Sequence, residues 1–235
     1  MKKRLYAVVF IAVLGFGLVY YNFLGKRDTQ AALSAIRFPE ECLVIDAGHG
    51  GEDGGAVSVS GVAESTINLS IALKLEQLFG LYGVSPILLR TEDISLHDDD
   101  VTTLREKKVS DLHNRVEHIE SLSNVTLISI HQNAYTTSNC TGAQVFFSNP
   151  DLSLPFAKTV QETLRLTLDT ENRRVAAQIP DSVYLMNHIS CRAVLVECGF
   201  LSNPQEDLLL QSEEYQTKIA ASLLASWLQY DREEQ

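Results

Sequence analysis

Four side chains in this sequence have the types and positions to carry out hydrolytic chemistry together: His49, Glu64, His131 and Glu197. His49 lies in Asp46-Ala47-Gly48-His49-Gly50-Gly51, directly after the apolar run Cys42 to Ile45, and Gly54, Gly55 and Gly61 follow. Glycines this close together let a backbone take positive φ and approach a ligand. On its own, such a strand-to-helix loop suits a phosphate or a tight corner as well as a metal. Glu64 precedes Ser65-Thr66 and a helical pattern, so it is expected at a helix N-terminus facing back toward the loop. His131 follows the apolar run Val125 to Ile130, and Glu197 follows Ala193 to Val196. Two histidines and one carboxylate form the ligand set of a catalytic zinc site with a fourth position open to water. The remaining carboxylate is then free to act as general base to that water and general acid to a leaving nitrogen.

These residues can meet only if strands deliver them to one edge. The pattern predicts strands over 42–46, 84–89, 125–130, 143–148 and 193–196. It predicts helices over 65–80, where Ile67, Ile71, Leu75 and Leu78 recur at helical spacing, and over 104–122, 154–169 and 205–230. Strands alternating with helices imply a single α/β domain, a twisted, mostly parallel sheet with helices on both faces. In such sheets ligands bind beyond the carboxyl ends of the strands, where His49, His131 and Glu197 each follow one. The other histidines read as surface or packing residues: His97 in a loop, His113 and His118 on a polar helix. His188, just before the last strand, is the one further candidate for the cleft.

The first 24 residues stand apart. Lys2, Lys3 and Arg4 precede an uncharged, mostly apolar run from Leu5 to Leu24, with Lys26 and Arg27 after it. Such a run is long enough to cross a hydrocarbon core, and the leading basic cluster keeps the N-terminus inside. Residues 1–24 are therefore expected to be a membrane anchor, with a cleaved signal as the alternative. Residues 25–40 follow as a linker and 41–230 as the catalytic domain, on the extracytoplasmic face. The whole chain carries −11, and because its first 30 residues hold five basic residues against Asp28, a balance of +4, the part beyond residue 30 carries −15. That leaves no electrostatic footprint for nucleic acid. Four cysteines, Cys42, Cys140, Cys191 and Cys198, lie far apart without a C-x-x-C pair. They read as structural thiols rather than disulfides, although export would permit the latter.

Asp46-Ala47-Gly48-His49-Gly50-Gly51, Glu64, Ser129-Ile130-His131-Gln132-Asn133-Ala134 and Leu195-Val196-Glu197-Cys198-Gly199-Phe200-Leu201-Ser202-Asn203 together resemble the zinc-dependent N-acetylmuramoyl-L-alanine amidases, over about residues 42–228. The resemblance implies one zinc ion per chain on His49, Glu64 and His131, with Glu197 as the catalytic carboxylate. It also implies Arg90, Arg115 and Asn133 as substrate-binding residues near the cleft. Cys191-Arg192 stands where the family usually has a proline before the last catalytic strand, and the connection from Arg90 to Arg115 is longer than in short members. With no wall-binding repeats in these residues and an anchor in front, the chain is similar to the CwlD-type spore-cortex amidases of endospore formers. The implied reaction is hydrolysis of the amide between N-acetylmuramic acid and L-alanine, feeding muramic-δ-lactam formation in the spore cortex. A forespore-associated location and an accessory protein supporting zinc binding or localisation are implied with it. The ligand set also permits a zinc peptidase acting on stem peptides, and the fold permits a non-catalytic peptidoglycan-binding protein.

Overall fold

The computed structural model describes residues 41–234, with the side chains of 231–234 left aside. Its centre is two long strands, β3 (Val125–Asn133) and β6 (Arg192–Phe200), paired in parallel and flanked by β1 (Cys42–Ala47) and β4 (Gln144–Phe147). The edges are β2 (Ile87–Leu88) and β5 (Ala177–Gln178), giving the order β2-β1-β3-β6-β4-β5. Every neighbouring pair is parallel except β4 with β6, so the sheet is mixed rather than uniformly parallel.

Helices cover both faces, which is why the central strands read as nearly continuous apolar runs. On one face lie α1 (Glu64–Leu81), α3 (Pro150–Leu168) and α6 (Glu213–Glu234), where Phe79 meets Trp227 edge to face at 5.3 Å. Ile67, Ile71, Leu75 and Phe79 of α1, one helical turn apart, are all buried there. The other face carries α2 (Leu104–Glu120) and α4 (Tyr184–Asn187). Beneath them Val44, Leu127 and Ala193, one from each adjacent strand, pack with Ile119, Leu185 and Met186. Thr103 starts α2 with a reciprocal cap: its side chain accepts from Glu106 N–H, and the Glu106 carboxylate accepts from the Thr103 backbone.

Several boundaries differ from the sequence pattern, each for a local reason. β2 is two residues rather than the predicted 84–89, because Pro86 has no N–H and pairing starts only after it. α3 begins at Pro150, whose fixed φ suits a first helical position, and so includes residues that the apolar spacing does not mark. The predicted 205–230 helix is two: α5 (Pro204–Leu210), capped by the Asn203 side chain accepting from Gln205 N and Glu206 N, and then α6. β5 and α4 are too short to leave a periodic signal. The predicted anchor (5–24) and linker (25–40) lie outside the described residues. Among the described residues no helix is long and apolar enough to cross a membrane.

Candidate metal centre

His131 and Glu197 were expected just past their strands; they lie within them. β3 continues to Asn133 and β6 to Phe200, because pairing persists past both residues. His131 is the direct register partner of Glu197, so the two side chains leave the same face of the sheet side by side. The neighbouring strand β1 runs out at Ala47, and the glycine loop carries His49 over the same edge. Glu64 is the first residue of α1, which places its carboxylate under the loop.

His49, Glu64 and His131 present ligand atoms that all lie within 4.8 Å of one another. Nδ1 of His131 stands 3.0 Å from Oε1 of Glu64, and Nε2 of His49 3.4 Å from Oε2. The two imidazoles meet edge to face, 5.1 Å between centroids. This approach requires glycine at two positions. A Cβ on Gly48 would lie 2.2 Å from the His131 ring, and one on Gly55, at φ 70°, would lie 2.6 Å from Glu64 Oε2. Glu64 is fixed from all sides: Oε1 accepts from Asn68 Nδ2 and from Gln132 N, and Oε2 accepts from Ala56 N.

The electrostatics are those of a cation site. Burial works against charge on His49, yet its hydrogen bonds to Asp53 and Glu64 raise its pKa to about 9. Burial would raise Glu64, but hydrogen bonds and charge from the two histidines hold it well below the usual carboxylate range. Two imidazole nitrogens and a carboxylate in a pocket sized by glycines match the borderline donor set that zinc takes, with room left for a further ligand. Glu197 stands apart in character: its Oε2 is buried without a hydrogen-bond partner, and burial pushes its carboxyl up to about 7.

The structure places the predicted arginines behind the loop. Arg90 donates from Nε to the carbonyl of Ala47, from Nη1 to that of Glu92 and from Nη2 to those of Gly48 and Ser65. Arg115 donates to the carbonyls of Ala47 and His49 and to the carboxylates of Asp111 and Asp46. Between them the two guanidinium groups hold three consecutive carbonyls, from Ala47 to His49. Asp46 is fully buried; burial would raise its pKa, but Arg115, with help from the Ser129 hydroxyl, keeps it below the usual value. Asn133 closes β3, its carbonyl accepting from Leu201 N at 2.8 Å. Next to the histidines a cavity of about 250 Å³ opens between α2 and α4, walled by Leu112, Tyr184 and Leu185. His188 stacks on Tyr184 from outside, 3.8 Å between centroids, and so backs that wall. The Cys191-Arg192 departure stands at the opposite end of β6 from Glu197, roughly 16 Å away along the strand. All four cysteines are free thiols.

Four supporting residues were not singled out from sequence: Asp53, Asn68, Lys108 and Gln132. Two carried a signal, because Asp53 lies four residues after His49 and Asn68 one helical turn after Glu64. Asn68 joins Glu64, the Gly48 carbonyl and Gln132 into one buried network.

A family model described as N-acetylmuramoyl-L-alanine amidase matches residues 43–227. The chain is 31% identical over 233 residues to the germination-specific N-acetylmuramoyl-L-alanine amidase of Bacillus subtilis, covering 98% of this chain and 96% of that one. Among solved structures it is similar to the CwlD amidase of Clostridioides difficile, solved in complex with the GerS lipoprotein. There the identity is 38% and the TM-score 0.77, over 81% of this chain and 98% of that one. It is also similar to an N-acetylmuramoyl-L-alanine amidase from Clostridium difficile 630, with 28% identity and a TM-score of 0.69 over 81% of this chain and 96% of the other.

Proposed function

The chain belongs to the N-acetylmuramoyl-L-alanine amidase family, and we propose that it hydrolyses the N-acetylmuramic acid to L-alanine amide of peptidoglycan as a zinc enzyme of spore-cortex maturation. The observation that carries this reading is the meeting of His49, Glu64 and His131 beside Glu197, whose Oε2 has no partner. His49, Glu64 and His131 would hold the zinc ion. Bound there, zinc supplies a Lewis acid that makes water nucleophilic near neutral pH and takes up negative charge.

The remaining steps belong to the chain's own residues. Glu197 takes a proton from the attacking water as its oxygen bonds to the lactyl carbonyl carbon. It passes that proton to the nitrogen of L-alanine as the C–N bond breaks, releasing the stem peptide. Burial raises the Glu197 carboxyl above its ordinary range, which favours its holding the proton between the two halves of this exchange. Arg90 and Arg115 act by holding the Ala47–His49 carbonyls and hence the loop, and Asn133 lies at the strand end where substrate passes.

A role tied to spores is supported by the name of the germination-specific Bacillus subtilis relative and by the likeness to the CwlD amidase; cortex maturation, with muramic-δ-lactam as the downstream product, extends that reading. The Clostridioides difficile relative was solved with a lipoprotein, which supports an accessory protein here too. Residues 5–24 would tether the domain outside the membrane; a mature N-terminus beyond residue 30 in a soluble fraction would replace the anchor with a cleaved signal. The test of the central reading is to incubate the purified chain with peptidoglycan, with and without zinc, and identify the released ends by mass spectrometry. New amino termini on L-alanine that depend on zinc are expected. Cleavage within the stem peptide, or no cleavage at full zinc occupancy, would overturn it.

A further inference from the structure

Asp53 lies four residues beyond His49, across a short backbone bridge in which Gly50 N donates to the Asp53 carbonyl and Asp53 N donates to the Gly50 carbonyl. Its Oδ2 is 2.9 Å from Nδ1 of His49, while the other ring nitrogen, Nε2, faces Glu64. Its Oδ1 accepts from Gly55 N at 3.3 Å and from Nζ of Lys108, on α2, at 2.8 Å. A second contact, Lys107 with Glu52, joins the same loop to the same helix. His49 has a left-handed backbone, φ 63°, which a residue with a Cβ keeps only where its surroundings hold it.

We propose that Asp53 is a positioning residue for the metal centre, holding the His49 ring with Nδ1 protonated and Nε2 turned toward Glu64, and that Lys108 holds Asp53. A free imidazole can carry its proton on either nitrogen and can flip about its Cβ–Cγ bond. Either change would take the electron pair of Nε2 away from Glu64 and His131. A carboxylate that accepts from Nδ1–H excludes both. Its other oxygen is held by a main-chain N–H and a lysine, so the carboxylate itself keeps one orientation. α2 thereby reaches the centre twice: through Arg115 to the His49 carbonyl and through Lys108 and Asp53 to its ring.

The inference rests on the reading of His49, Glu64 and His131 as a metal centre, and its test keeps the two apart. Zinc affinity is measured on the purified full-length chain by competition with a chromophoric chelator, for wild type, His49→Ala, Asp53→Ala, Asp53→Asn and Lys108→Met. Circular dichroism and melting of the zinc-free proteins check the fold. Asp53→Ala is expected to weaken zinc roughly 10–100-fold, the range for lost outer partners of metal-bound histidine. Asp53→Asn, which keeps an acceptor, should lose less, and Lys108→Met a few-fold. In the zinc-loaded protein the His49 Nδ1–H proton should resonate far downfield and exchange slowly in wild type and lose both features in Asp53→Ala, the mark of the hydrogen bond to Asp53, which a purely structural role for Asp53 would not produce. Wild-type affinity in Asp53→Ala, with zinc lost in His49→Ala, overturns the inference and leaves the metal centre standing. Zinc retained in His49→Ala overturns the metal centre itself. Should Asp53→Ala not fold, unchanged affinity in both Asp53→Asn and Lys108→Met overturns the inference instead.

Discussion

Glu64 and Glu197 are two carboxylates of the same site, and the chain treats them in opposite ways. Both oxygens of Glu64 are engaged, by two main-chain N–H groups, an asparagine amide and two histidines, and its charge is stabilised. Glu197 has a buried oxygen with no partner, and its charge is disfavoured. Leaving a buried polar group unpaired costs about 1–3 kcal/mol, so the fold tolerates at Glu197 what it avoids at Glu64. The difference separates two tasks. A ligand must stay charged and fixed, whereas a proton carrier must be able to hold a proton and release it. On the proposed reading, the loop side of the centre serves the first task and the β6 side the second.

The largest test of this division is to exchange what each side loses on mutation. His49→Ala or His131→Ala should reduce zinc, measured by atomic absorption, from about one per chain to near none, and activity with it. Glu197→Gln should retain the metal and lose roughly 10²–10⁴-fold in turnover, the range for a general acid–base residue. If Glu197→Gln abolished zinc binding while Glu64→Gln kept it, the two carboxylates would have to exchange roles, and the comparison would be broken.

The meeting of these four residues was partly legible in the sequence. His49, Glu64, His131 and Glu197 could be picked out because their positions are tied to long signals: three apolar runs and a helix whose Ile67, Ile71 and Leu75 recur at helical spacing. The parallel core of the sheet was legible for the same reason. The direction of β4 was not, because its short run carries no mark of orientation. Nor was the strand extent at His131 and Glu197, since a polar residue in an apolar run reads as its end when backbone pairing is invisible. Arg90 and Arg115 show a further limit. The family resemblance implies them as substrate-binding residues near the cleft, but only the structure shows their donors turned to the chain's own carbonyls.

That arginine frame gives the next test, smaller in its effect on turnover and larger in stability. Arg115 and Asp46 are a buried pair under the loop, 1% exposed each. Removing one partner of such a pair leaves an uncompensated charge and costs about 3–5 kcal/mol. Arg115→Met should therefore lower stability by that order in urea unfolding, and Arg115→Met with Asp46→Asn should recover part of it. A loss below about 1 kcal/mol would show that the ligand side of the centre is less rigidly held than the Glu64 network suggests.

The smallest expected effect concerns the pH dependence of the zinc-free chain. Glu197 has its pKa raised to about 7 from an unfolded value near 4.5. Between those values the folded protein retains a proton that the unfolded chain has released, so this carboxyl makes stability fall as pH rises. Its contribution is complete below pH 4.5 and lost once pH passes 7, by at most about 3 kcal/mol. His49 also titrates in the folded state, with a pKa raised to about 9; its stabilisation is present below pH 6.5 and lost as pH rises through 9. Comparing wild type with Glu197→Gln removes most of what the histidine contributes to both. The variant should gain on the wild type between pH 4.5 and 7, with a constant difference above that range. A difference flat across the whole range would mean that Glu197 is not held protonated by burial, and the contrast with Glu64 would then rest on hydrogen bonding alone.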